Sequence, residues 1–115
     1  MSSVANEAAL IWCPLASLEE ARRVADILLG ERVVACANIL PSIESRFLWQ
    51  GERDNAQEAA VLFKTLPRLV DTALTRLIAL ASYDQPAPSA WTVTTSPGTR
   101  AWLEAELDPA LGSNP

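Results

Sequence analysis

The residues with the clearest capacity for chemistry are the thiols of Cys13 and Cys36, the Glu58 carboxylate, the Lys64 ammonium, the Tyr83 phenol and the Trp49 indole. The chain has no histidine. This removes the commonest general base and the commonest imidazole ligand for zinc or copper. It also leaves both thiols without the partner that activates a catalytic cysteine, and neither has a lysine or arginine beside it in sequence. A thiol enzyme is therefore the weaker reading. Two buried, free, small apolar side chains in strands is the stronger one. Glu58 and Lys64 are separated by an even number of residues, so on one strand they share a face and present an acceptor and a cation together.

Composition limits what these groups can serve. The chain has 115 residues and a mass of 12.4 kDa, the size of one domain with a core of its own. Half its residues are hydrophobic and the mean hydropathy is +0.13, an apolar surplus for so small a protein, which points to self-association. A net charge of −5 repels a phosphate backbone, so nucleic acid is not an expected partner. No apolar run approaches the ~20 residues of a membrane span, and Met1 to Glu7 lacks the pattern of a signal peptide. The expected setting is soluble and cytoplasmic, where cysteines stay reduced.

The elements that position these groups follow from periodicity. Ala8 to Trp12 is a short apolar strand that should stop at Cys13-Pro14. Ser17-Leu18-Glu19-Glu20 has the spacing of a capping box, and Ala21, Val24, Ala25 and Leu28 then form one helical stripe. Gly30 is placed to end that helix in the left-handed conformation. From Val33 the period becomes two, with a bend or bulge at Pro41-Ser42, and the strand pattern runs on through Trp49. Gly51 to Asn55 reads as a hairpin tip and Glu58 to Thr65 as the returning strand. So long a ribbon exposes more apolar face than one small domain covers, and another copy of the chain is the expected partner. Pro67 opens a second helix with the stripe Val70, Ala73, Leu74, Leu77 and Ala81. Ser82 to Ser89 is a loop, and Trp91 to Thr95 a last strand at an edge. Ser96-Pro97-Gly98 is a turn, Thr99 a cap, and Arg100 to Leu107 a final helix. The order is β-α-β-β-α-β plus a C-terminal helix, an α+β ferredoxin-like split βαβ arrangement in one domain over 1–115, with loose ends at 1–7 and 108–115.

From Cys13 to Pro86 the sequence resembles the CutA divalent-cation-tolerance proteins. The resemblance is carried by Cys13 ahead of the first helix, Ala35-Cys36-Ala37, the Ser45 to Gly51 segment with Trp49, Glu58, Lys64-Thr65, and Tyr83 with Pro86. It implies a non-enzymatic, cytoplasmic homotrimer, similar in architecture to PII-type signalling proteins, in which long ribbons pair between subunits. It also implies a link to copper and other divalent cations, with Cys13 and Glu58 as metal ligands. The chain departs from the family pattern at Ala81-Ser82-Tyr83, where a His-Pro-Tyr segment is usual. It departs again at Ala87, where a glutamate is usual, and at Phe47-Leu48, where a tyrosine often stands. The missing histidine weakens a copper site, because soft copper wants two or three sulfur or imidazole donors. In a trimer, Cys36, Trp49, Lys64 and Tyr83 would line an inter-subunit cleft suited to a small anionic effector. The alternative is a trimeric protein-interaction module that binds no metal.

Overall fold

A computed structural model describes residues 6–108. Strands β1 (Glu7–Leu15), β2 (Cys36–Trp49), β3 (Glu52–Thr65) and β4 (Ser89–Thr94) alternate with helices α1 (Leu18–Gly30), α2 (Val70–Leu80) and α3 (Pro97–Glu106). A 3₁₀ turn, Pro67–Leu69, leads into α2. The strands form one sheet in the order β2-β3-β1-β4, every neighbouring pair antiparallel. This is the ferredoxin-like arrangement that the element order implies. The expected loose ends lie mostly outside the described residues. Within them, Glu7 pairs with Thr94, and the Asn6 carbonyl accepts from the Thr95 amide at 2.7 Å.

Local chemistry explains most boundaries. At the start of α1 the Ser17 hydroxyl accepts from the Glu20 amide at 3.1 Å. The Glu20 carboxylate accepts from the Ala16 amide at 3.3 Å, one residue earlier than in the usual reciprocal box. Gly30 does not supply the left-handed turn expected of it; Arg32 does, at φ 57°. That conformation lets Arg32 Nη1 reach the Glu106 carbonyl at 2.9 Å, a cation on the last turn of α3. At α3 the capping hydroxyl is that of Ser96, which accepts from the Thr99 amide. Pro97 therefore takes the first helical position, where its missing N–H costs nothing.

Two strand limits also differ from expectation. β1 continues through Pro14, which pairs with Ala60. The proline is tolerated because β4 pairing has ended at Trp12, leaving that part of β1 with one neighbour. The ribbon is longer than the polar run suggests, because its tip is the two residues Gln50 and Gly51, with φ 52° and 83°, and Trp49 pairs with Glu52. Positive φ at both positions is the turn that matches strand twist. Asparagine tolerates that region better than glutamine, so Gln50→Asn should raise unfolding stability by about 0.5 kcal/mol in a urea titration. The pairing register shifts between Leu40 and Ile43, as expected at Pro41-Ser42.

Val33 to Ala35 precedes the strand instead of belonging to it. Both valines are buried, and the segment is fixed by the Ala35 amide on the Lys64 carbonyl and the Val33 amide on the Leu28 carbonyl. The fully buried Thr65 donates its hydroxyl to the Val33 carbonyl at 2.7 Å. Thr65→Val keeps the shape and orphans that carbonyl, so a loss of about 1–2 kcal/mol is expected in chemical unfolding.

The main core lies between α1, α2 and the odd-numbered side of β1 and β3, where Ile11, Cys13, Leu15, Val61 and Phe63 meet Val24, Leu28 and Leu77. A second, smaller cluster joins Leu103 and Leu107 to Ala8 and Leu66, with Val93 packed against it. Ala8 and Val93 are a cross-strand pair, so α3 covers one end of the opposite face. Alternation places Leu10, Trp12, Leu62 and Trp91 on the rest of that face. Trp91 is 46% exposed.

Candidate functional site

At the carboxyl end of β1, four ionisable groups from different elements converge. Cys13 is fully buried, and its thiol's polar contact is the Pro14 carbonyl at 3.7 Å. Burial pushes that thiol up to about 12, and the nearby Glu20 and Glu58 carboxylates push the same way. It therefore holds its proton at neutral pH. Glu20 is only 9% exposed and carries Arg23 at 3.7 Å on its other oxygen. Glu58 accepts the Tyr83 hydroxyl at 2.6 Å. Burial, the Glu58 bond and the neighbouring acidic groups all raise the Tyr83 phenol above its ordinary range.

The six residues singled out in the sequence occupy three places in one chain. Cys13, Glu58 and Tyr83 share the corner just described. Cys36 and Lys64 are a cross-strand pair, in a row that continues through Leu10 to Trp91. Cys36 is half-buried, not buried as expected. It opens the edge strand β2, and its thiol points to Asn38 Oδ1 at 3.4 Å. Trp49 stands at the ribbon tip, 48% exposed. Strand rise puts Lys64 about 20 Å from Glu58 and Trp49 about 40 Å from Cys36. Only association of chains could unite them. Glu20 was not foreseen at the corner, because the capping box accounts for it; the available signal was its place four residues before Val24, on the buried stripe.

A family model described as "CutA1 divalent ion tolerance protein" matches residues 9–106. The chain belongs to the CutA1 family. A divalent-cation tolerance protein CutA of Thermus thermophilus is 37% identical over 99 residues, spanning 86% of this chain and 92% of that one. A CutA homolog of Danio rerio is 34% identical over 77 residues, and the match spans half of that longer protein. Among solved structures, the CutA of Archaeoglobus fulgidus, described as periplasmic, superposes with a TM-score of 0.84 at 29% identity, covering 88% of this chain and 99% of that one. The Thermus thermophilus structure gives 0.80 at 32% identity, covering 84% and 94%.

Resemblance to CutA proteins implies metal ligation by Cys13 and Glu58, and the local chemistry does not suit it within one chain. The thiol holds its proton, one Glu58 oxygen is taken by Tyr83, and half-buried Ala81 stands where the family histidine is usual. Among the described residues no three cysteine, aspartate or glutamate side chains gather as cation ligands. Soft and borderline metals need more donors than this.

Proposed function

We propose that this CutA1 member serves divalent-cation tolerance as a non-enzymatic homotrimer that binds a cation or small effector in clefts between subunits. The observation that carries the reading is the second face of the sheet beyond α3, where half-buried Leu10, Trp12 and Leu62 and exposed Trp91 lie in register across three strands. Contiguous apolar surface of this kind marks an association site. The ribbon supports it too, because β2 and β3 run past the end of β1 at Leu15 and expose Phe47, Leu48 and Trp49. Two free cysteines fit a reducing, cytoplasmic setting, and no helix among the described residues is long and apolar enough to cross a membrane. Lys64, with no carboxylate within ion-pair distance among the described residues, offers a cation to an anionic effector on the face that other copies would cover.

Light scattering, followed by thermal-shift titration with Cu(I), Cu(II), Zn(II), inorganic phosphate and nucleotides, tests both halves. The expected results are a mass three times 12.4 kDa and stabilisation by at least one of these ligands. A single-chain mass at micromolar concentration would overturn the assembly. A trimer indifferent to every ligand would favour the protein-interaction module.

A further inference from the structure

The segment between α2 and β4 crosses the corner that holds Cys13. Its two roots, Ala81 and Ala90, both pack against the cluster containing Cys13. Pro86, midway along it, is buried, whereas residues 82–85 are exposed. β4 starts with Ser89 opposite Trp12, so the residues just before it lie alongside Cys13 and Pro14. Glu58 sits one residue beyond the Ala59–Leu15 pair, next to the turn where Glu20 caps α1. The Tyr83 hydroxyl bond to Glu58, at 2.6 Å, therefore ties the middle of this crossing segment to the sheet. Among the described residues, no other hydrogen bond ties the side chains of residues 82–88 to the sheet.

We propose that residues 82–88 are a strap latched shut by Tyr83 on Glu58, and that opening this latch, without unfolding the core, uncovers the Cys13 thiol. Shut, the strap keeps water and electrophiles from the sulfur and occupies the Glu58 oxygen that a cation would need. Open, it frees a thiol and a carboxylate on adjacent elements. The device stands whether or not the protein binds a metal, since it rests on one hydrogen bond and on burial.

Its test is the rate at which iodoacetamide alkylates Cys13, followed by intact mass in a Cys36→Ser background at pH 8. A hydroxyl bonded to a carboxylate is a strong latch, and its loss should raise the open population roughly tenfold to a hundredfold. Tyr83→Phe and Glu58→Ala should each speed alkylation by that factor, while Glu58→Gln, which still offers an acceptor oxygen, should stay close to the parent rate. The accelerated rates should depend on urea more weakly than global unfolding does, the mark of a local opening. Unchanged rates in Tyr83→Phe, or acceleration with the urea dependence of global unfolding, would overturn the latch. If Tyr83→Phe fails to fold, the contrast between Glu58→Ala and Glu58→Gln decides the same question.

Discussion

Leu62→Arg is expected to reduce the proposed trimer to single chains of 12.4 kDa. Leu62 pairs with Trp12 across β3 and β1, on the face opposite the α1–α2 core, and α3 reaches only the Ala8 and Val93 end of that face. If copies of the chain cover it, a guanidinium there is buried without a partner. The penalty is several kcal/mol per charge, and symmetry repeats it in every subunit. Trp12 and Trp91, on the same face, would then meet water, so tryptophan emission should shift to the red as the mass falls. Ile78→Arg is the control. Ile78 is also apolar and 55% exposed, but it lies on α2 in the helical layer, and its replacement should leave the mass unchanged. A trimer that survives Leu62→Arg would place the contacts between copies elsewhere than on this face.

The dependence on burial also separates what could be read from sequence and what could not. Helical stripes and strand alternation are local periodicities, so α1, α2, the ribbon and the ferredoxin-like order were legible from residue types alone. Boundaries failed where a tertiary partner overrode a local signal. Arg32 takes a left-handed turn beside an available glycine because its guanidinium reaches α3. β1 runs through Pro14 because a strand that ends elsewhere, β4, leaves room for it. The ribbon tip was misplaced because polarity spreads over Gly51 to Asn55, whereas backbone handedness singles out Gln50 and Gly51. At the corner, Cys13 and Glu58 were recognisable as residues of interest. Their environment was not, because the strap that brings Tyr83 to Glu58 is a loop without periodicity, and the cluster that buries the Cys13 thiol is built by α1, α2 and β3 together with the strap's roots at Ala81 and Ala90.

That burial carries the second large effect, a loss of stability in alkali. In the unfolded chain the Cys13 thiol titrates near 9.0, whereas in the folded chain it is pushed up to about 12. Between those values the folded state holds a proton that the unfolded state has released. Stability from this group is therefore fully present below pH 9 and declines as pH rises toward 12, by about 1.4 kcal/mol per unit. The full span is roughly 4 kcal/mol per chain, a large fraction of a small domain's stability. Tyr83 pushes in the same direction at higher pH, since its phenol is also raised, and the main causes, burial and the Glu58 bond, remain in a Cys13 variant. Cys13→Ala removes the titrating group at a cost of about 1 kcal/mol for the small cavity left behind. Urea unfolding under reducing conditions at pH 8 to 11 should thus give two curves that cross near pH 10, roughly where the two effects are equal. The parent is the more stable at pH 8 and the less stable by more than about 1 kcal/mol at pH 11. Parallel curves over that range would mean that the folded thiol titrates as it does in the unfolded chain, and that the corner is open to water at rest.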